Sequence, residues 1–300
     1  MINFRFTVLT KECYIYGSTG IPDAGMIDYP IGEDKCIGIR MDSTDYKFIN
    51  KYEDPGVINT LNYLRKYYLA GYIRKDAATY TGGEYQTTGK YLVKQDGWIP
   101  GADQLWSRSA GYPIVSTPVY DRFYISSAGL LGSVMAISVT SENPELAMEF
   151  LNLLNTDKYI RNMVDSGIEG KHYRMEDNRQ LDLNASKNYD MPTFTLGNRF
   201  ILNSYIDDPF DDMGVQYKKL NDSGLPSPLI GFRPNTENLT RELAAIANVT
   251  KEFGTGLTTG SVDPAIYLPK FISKLKSVGF EKVRDEMQKQ FDEYIKDKKQ

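Results

Sequence analysis

The sequence is poor in the residue types on which many catalytic and metal sites depend. Its 300 residues include one histidine, two cysteines and two tryptophans. A Ser-His-Asp or Cys-His site would have to use His172, which has neither a nucleophile elbow nor a metal-binding pattern beside it, so a structural role is favoured. Cys13 and Cys36 are too few for a disulfide framework, and the sequence leaves open whether they pair or stay free. We therefore expect no metal, no cofactor and no catalytic residue.

Long apolar runs and an excess of positive charge are also absent. No run of about eighteen apolar residues occurs, so no transmembrane helix is predicted. The formal net charge of -4 argues against nucleic acid as a partner. At the N-terminus no signal peptide or lipid-attachment site is evident, because Thr10-Lys11-Glu12 is not the small apolar lead-in that a lipidated Cys13 would need.

Tyrosine is the abundant aromatic residue, with 22 Tyr against 13 Phe and 2 Trp. Its side chain combines a flat apolar face with a polar rim. That combination suits a sugar-binding cleft, in which rings stack on pyranose faces and hydroxyls exchange hydrogen bonds. The competing interpretation is that the tyrosines fill half-buried surfaces.

A strand followed by a capped helix is predicted over residues 132–154. Residues 132–139 are small and apolar, as in a buried strand. Asn143 stands at the N-cap position and Pro144 at the first helical position. An apolar stripe on the buried face of the helix is then predicted for Ala147, Phe150, Leu151 and Leu154.

Further elements follow from apolar periodicity and from glycine and proline breaks. Strands are predicted at residues 36–41, 91–93 and 112–116, and an irregular stretch at 178–191. Helices are predicted at residues 55–70, 157–165, 196–205, 237–253, 264–277 and 281–298, the last with an apolar stripe of Val283, Met287, Phe291 and Ile295.

Several segments in this order resemble the extracellular solute-binding proteins of ABC importers. The 132–151 segment resembles their strand that crosses between two lobes. A LipO-like lipoprotein subgroup with a C-terminal domain of unknown function is indicated by Ala70-Gly71-Tyr72-Ile73-Arg74-Lys75-Asp76-Ala77-Ala78, Asp165-Ser166-Gly167-Ile168-Glu169-Gly170-Lys171-His172-Tyr173, Gly224-Leu225-Pro226-Ser227-Pro228, Gly260-Ser261-Val262-Asp263-Pro264 and Glu286-Met287-Gln288-Lys289-Gln290-Phe291-Asp292.

This resemblance implies an α/β, periplasmic-binding-protein-like fold of type II with two lobes, incomplete at the N-terminus. Residues 1–16 would be an atypical N-terminal segment and 17–131 part of one lobe. Residues 132–167 would hold the interlobe crossing strand and helices, and 168–300 a largely helical C-terminal domain. It also implies capture of a small extracellular solute, an oligosaccharide, by a monomer that delivers it to an ABC permease. Family members are lipid-anchored at the cell surface.

The candidate binding residues follow from the same resemblance. Sugar-binding members of the wider superfamily have a Gly-Trp loop at the cleft, and Gly97-Trp98 stands after a predicted strand in the matching order. In the same predicted loop, Asp103 and Gln104 would bond sugar hydroxyls. The remaining candidates are Tyr120 and Tyr124, next to the interlobe crossing, and Arg233, where the family tends to have an uncharged or acidic residue.

Two functions of other classes remain open at this point. The acidic cluster of Asp207, Asp208, Asp211 and Asp212 would supply paired carboxylates for glycoside hydrolysis or oxygen ligands for Ca²⁺, although a solvated loop with a helix cap is favoured. The chain would alternatively be a structural or partner-docking module that uses its C-terminal helices as an interface.

Overall fold

Two compact units make up the chain, and each is assembled from separate stretches of sequence. The computed structural model describes residues 14–16, 26–80, 91–93, 97–118, 120, 122–130, 133–189 and 191–298. Unit 1 takes its described residues from Met1–Gly97, Tyr124–Leu130 and Leu225–Gln300, and unit 2 from Trp98–Phe123 and Leu131–Gly224. In the described part of the chain, no helix is both long enough and apolar enough to span a membrane.

Helices dominate both units. The helices are α1 (Pro55–Leu69), α2 (Ala102–Ala110), α3 (Ser127–Leu130), α4 (Pro144–Thr156), α5 (Lys158–Ser166), α6 (Met213–Asp222), α7 (Thr240–Thr258), α8 (Pro264–Ser277) and α9 (Phe280–Lys298). The strands are β1 (Tyr14–Tyr16), β2 (Ile27–Asp28), β3 (Ile37–Arg40), β4 (Phe48–Asn50), β5 (Tyr91–Val93), β6 (Tyr124–Ile125), β7 (Tyr173–Glu176), β8 (Arg179–Asp182) and β9 (Leu225–Pro226).

Unit 1 combines short sheets with four long helices. Strands β2, β3 and β4 form an antiparallel sheet, while β1 pairs with β5, and β6 with β9, in parallel. The carboxylate of Asp54 accepts bonds from the backbone N–H groups of Gly56 and Val57, which caps α1 as its sequence of Asp followed by Pro favours. The predicted helices at residues 55–70, 264–277 and 281–298 are confirmed.

The core of unit 1 is a connected cluster of buried apolar side chains. Phe271 lies at its centre, 4.6 Å from the ring centroid of Tyr52 and 5.2 Å from that of Phe253. The predicted stripe of α9 faces this cluster, since Val283, Met287 and Phe291 are buried and Ile295 packs against it. The periodicity of the C-terminal helices therefore identifies their buried faces correctly.

Unit 2 is built around polar side chains more than apolar ones. The guanidinium of Arg161 in α5 is fully buried, and it donates to Asp165 Oδ1 at 3.0 Å and to the Thr193 carbonyl at 2.9 Å. Nearby, Asn162 accepts from the backbone N–H of Asn203 at 2.7 Å. Unit 2 also holds the hairpin of β7 and β8, so the prediction of an irregular stretch at residues 178–191 is wrong in its first part.

Two predicted strands are not formed. The strand predicted at residues 132–139 is absent from the described residues 133–139, with Gly132 outside the described part, and the strand predicted at 112–116 is absent as well. In the second case helix side chains take the backbone groups that a ladder would use. Ile114 N–H donates to Ser107 Oγ, and Ser116 N–H donates to Asp103 Oδ1, each at 2.8 Å.

Two helix predictions and one loop prediction also need correction. Residues 196–205 contain only a 3₁₀ turn at Arg199–Ile201, because side-chain acceptors of Asn198 and Asn162 bind the nearby backbone N–H groups. The stripe predicted for α4 is buried only at Leu154, whereas Phe150 is 46% exposed. Asp103 and Gln104 lie in a helix, α2, and not in the predicted loop.

Candidate functional site: a tryptophan anchored beside helix α2

Trp98 stands at the start of unit 2, in the short segment that leads into α2. Its side chain is 39% exposed, so a face of the indole is accessible to a ligand. The indole Nε1–H donates to Ser116 Oγ at 3.1 Å. A tryptophan that is exposed on its ring face but bonded through its nitrogen suits stacking against a sugar.

The position of Ser116 is fixed in turn by Asp103. The Oδ1 atom of Asp103 accepts from both the backbone N–H and the hydroxyl of Ser116. A chain of hydrogen bonds therefore runs from the indole of Trp98 through Ser116 to a carboxylate on α2. Both of these bonds use Oδ1 of Asp103.

Helix α2 is itself held at both ends. At its N-terminus, Gly101 has φ of 79°, and a Cβ there would lie 2.7 Å from Met213 Cε, so the turn packs closely on α6. At its C-terminus, Arg108 forms ion pairs with Asp207 and Asp208. Its guanidinium also lies 4.0 Å from the ring centroid of Tyr205, whose pKa is raised to about 12 by burial. The site thus rests on an anchored helix.

Each of the four residues of the acidic cluster has a structural contact, the weakest being the 4.0 Å ion pair of the exposed Asp211 with Arg179. Asp207 and Asp208 share Arg108, and Asp208 Oδ2 also accepts from the Tyr205 backbone N–H at 2.7 Å. Asp212 caps α6 by accepting from Val215 N–H, while Asp211 is fully exposed. Among the described residues, no group of three or more His, Cys, Asp or Glu side chains is arranged to hold a metal ion.

The other predicted site residues fall into both units. Gln104 lies on α2 and Tyr120 is half-buried, and both belong to unit 2. Tyr124 lies in β6, and Arg233 is exposed in the segment before α7, and both belong to unit 1. The structure therefore links Trp98 to Asp103 through Ser116, which no sequence pattern singled out, and Gln104 is the residue after Asp103 on α2.

The single histidine has a structural contact. Nδ1 of His172 accepts from the backbone N–H of Ile168 at 2.8 Å, and its ring stacks on Tyr189 at 5.5 Å between centroids. Trp106 is half-buried on α2. The thiol of Cys36 is free and buried in unit 1, and Cys13 lies outside the described residues.

The sequence is similar to a known domain family and to a transport protein. Residues 228–296 match the model of a domain of unknown function, DUF3502. The chain is 35% identical over 294 residues to a Streptococcus pneumoniae protein named carbohydrate ABC transporter substrate-binding protein, and the match covers 95% of this chain and 59% of that protein.

Solved structures give the same result. The N-glycan transport solute binding protein NgtS from Streptococcus pneumoniae in complex with Man1GlcNAc is 33% identical, with a TM-score of 0.84. That match covers 95% of this chain and 65% of the NgtS chain. The NgtS complex with Man5GlcNAc is 34% identical, with a TM-score of 0.80, and covers 96% and 64% of the two chains.

The chain thus spans less than two thirds of the length of these relatives. The predicted resemblance to solute-binding proteins of ABC importers is confirmed, and the chain has the periplasmic-binding-protein-like α/β fold.

Proposed function

We propose that this chain binds an oligosaccharide outside the cell, as part of an ABC-type import system for carbohydrates. The observation that carries the proposal is the similarity over 95% of the chain to a protein named as a carbohydrate ABC transporter substrate-binding protein. The structure around Trp98 also supports it, because the indole is exposed and its nitrogen donates a hydrogen bond to Ser116. Binding, without making or breaking a covalent bond, is the whole of the activity.

The ligand we propose is a mannose- and N-acetylglucosamine-containing glycan, because NgtS was crystallised with Man1GlcNAc and Man5GlcNAc. The face of Trp98 would stack on a sugar ring, contributing on the order of 1 kcal/mol beyond the burial of its area. The carboxylate of Asp103 and the amide of Gln104 would then accept and donate hydrogen bonds to hydroxyls. Tyr120, Tyr124 and Arg233 remain candidates for further contacts.

The partners and location follow from the same proposal. The loaded protein would act as a monomer, extracellularly, and deliver its sugar to a permease in the membrane, with lipid anchoring as in the LipO-like subgroup. Hydrolysis by the acidic cluster is disfavoured, because Arg108 pairs with both Asp207 and Asp208, and Asp212 caps a helix.

Thermal unfolding of the purified chain in the presence of a sugar panel tests the proposal. A ligand present at a hundredfold over its Kd stabilises the folded state by about 2.7 kcal/mol, which raises the midpoint by a few degrees. We expect Man5GlcNAc to raise the midpoint and Trp98→Ala to remove most of that shift.

Phe194→Ala provides the control, since Phe194 is another exposed aromatic residue of unit 2, with 69% of its surface accessible. This variant should keep the full shift. If no glycan of the panel moved the midpoint of a cooperatively unfolding chain, oligosaccharide binding by this chain would be refuted.

A further inference from the structure

The outer face of helix α1 carries tyrosine side chains that the fold does not bury. Helix α1 packs its apolar stripe into the core of unit 1, so the opposite face lies at the surface. On that face Tyr63 is 47% exposed and Tyr67 is 36% exposed. Their ring centroids are 6.5 Å apart, because residues four positions apart lie on the same side of a helix. A ligand can therefore reach two neighbouring aromatic rings on α1.

The turn after α1 adds a third ring beside these two. The ring of Tyr72, which is half-buried, has its centroid 6.0 Å from that of Tyr67. Two hydrogen bonds hold this turn against the helix. The backbone N–H of Tyr72 donates to the carbonyl of Tyr67 at 2.9 Å, and the hydroxyl of Tyr68 donates to the carbonyl of Lys75 at 2.9 Å. The three rings of Tyr63, Tyr67 and Tyr72, which we call the tyrosine row, are thus held side by side by the fold.

Amide and ammonium groups border the tyrosine row. Asn59 and Asn62 are exposed on the same side of α1, four and one positions before Tyr63. Lys66 is exposed as well, and its Nζ lies 5.2 Å from the ring centroid of Tyr63. Tyrosine hydroxyls and asparagine amides both donate and accept hydrogen bonds, as sugar hydroxyls do. This surface therefore suits sugar rings better than acyl chains, which have no hydrogen-bonding groups.

The charge of this surface is positive, although the whole chain has a net charge of -4. Residues 55–80 contain four basic residues, Arg65, Lys66, Arg74 and Lys75, and one acid, Asp76. Arg74 binds Asp76 through two hydrogen bonds, and Arg65 donates to backbone carbonyls. In the described part of the chain, no carboxylate pairs with either Lys66 or Lys75, and both are exposed. An anionic group of a ligand would therefore meet two uncompensated positive charges here.

We propose that the tyrosine row is a carbohydrate-binding surface in its own right, and that its ligand is a glycan chain that carries carboxylates. Successive sugar rings would stack on the tyrosine rings, while carboxylates of the same chain would pair with Lys66 and Lys75. The surface is formed by unit 1 alone. It therefore does not depend on the proposed recognition of a glycan by Trp98.

Isothermal titration of the whole chain with oligogalacturonate, a chain of uronic acids, tests the proposal. We expect saturable binding that weakens as salt is added, because salt screens the attraction between exposed charges. The same oligosaccharide with its carboxylates methyl-esterified should bind at least several-fold more weakly. Trp98→Ala should leave the affinity for oligogalacturonate unchanged.

Matched variants test the rings and the charges separately. Tyr63→Ala and Tyr67→Ala should each weaken binding by about fivefold to tenfold through the loss of one stacked ring. Lys66→Gln should weaken binding less and reduce its dependence on salt. The controls lie on α8, where Tyr267 is 39% exposed and Lys270 Nζ lies 5.5 Å from its ring centroid. Tyr267→Ala and Lys270→Gln should keep the full affinity, and all five variants should unfold at the midpoint of the parent chain.

Four results would overturn the proposal. These are no binding of oligogalacturonate by the folded chain, equal affinity for the esterified oligosaccharide, and binding that is lost in Trp98→Ala but kept in the variants of the tyrosine row. The fourth is tighter binding, through the same residues, to vesicles of phosphatidylglycerol, which would make the surface a membrane contact. A chain that binds Man5GlcNAc but not oligogalacturonate would refute this inference alone, and the opposite result would refute the proposed function alone.

Discussion

Substituting alanine for Gly71 and, separately, for Gly260 tests how closely the turn at Gly260 packs against helix α1 in unit 1. Both glycines have left-handed backbone conformations, with φ of 77° and 70°. A Cβ added at Gly71 meets nothing within 4 Å, whereas one at Gly260 would lie 2.3 Å from the carbonyl oxygen of Leu64 in α1. The turn at Gly260 is held against α1 by Arg65, which donates to the carbonyls of Gly260 and Ser261.

The expected costs follow from these two environments. Gly71→Ala should lower the free energy of unfolding by about 1–2 kcal/mol, the cost of a left-handed conformation for a residue with a Cβ. Gly260→Ala adds a clash with backbone atoms, and forcing a core to accommodate extra volume costs about 1–3 kcal/mol more. The two variants should therefore differ by about 2 kcal/mol.

Urea denaturation followed by circular dichroism measures both values on the same transition. Equal losses of stability in the two variants, within about 0.5 kcal/mol, would show that the close approach of Gly260 to α1 is not present in solution.

Three further predictions test individual contacts. Burial raises the pKa of the Cys36 thiol to about 11, so Cys36→Ser should leave thiol labelling of the native chain at pH 8 unchanged, and labelling in urea should fall by one thiol. Hydrogen bonds from Arg40 hold the pKa of Asp42 below its usual range. The pair therefore stabilises the fold at pH values above the unfolded-state pKa of Asp42, and this contribution is lost as the pH falls through the folded-state pKa. Asp42→Asn should make the loss of stability in acid less steep, as read from denaturation midpoints between about pH 5 and 2. Ser116→Ala removes the acceptor of the Trp98 indole, and it should weaken glycan binding by several-fold in titration while leaving the unfolding midpoint without ligand nearly unchanged.

The helices of unit 1 could be predicted from sequence because their own residues specify them. Asp54 and Pro55 mark the start of α1, and the spacing of Val283, Met287 and Phe291 identifies the buried face of α9. In these segments the sequence pattern and the final packing agree, because each helix buries its apolar stripe against the core of unit 1.

The wrong predictions share a different cause, which is that the residues that decide the structure lie outside the predicted segment. Residues 112–116 are not a strand because Ser107 and Asp103, two side chains of α2, accept hydrogen bonds from the backbone of Ile114 and Ser116. The segment before α4 has the composition of a strand but no ladder partner among the described residues. The boundaries of the two units cannot be predicted from composition, because unit 1 is formed by three stretches of sequence that are separated by the residues of unit 2.

The site was predictable only in part for the same reason. The Gly97-Trp98 pair was selected through its resemblance to sugar-binding relatives, and the structure links Trp98 to a second candidate, Asp103, through Ser116. Ser116 escaped notice, because its link to Trp98 and Asp103 exists only after folding. The acidic cluster attracted a catalytic interpretation that its ion pairs with Arg108 now disfavour.

The central claim, that this chain recognises an oligosaccharide through Trp98, is tested most directly by a fluorescence titration. The chain has two tryptophans, so Trp106→Phe leaves Trp98 as the sole indole reporter. We predict that Man5GlcNAc changes the Trp98 emission in a saturable manner, and that isothermal titration gives the same Kd. An emission that stays constant across glycan concentrations, together with no heat of binding, would contradict the account.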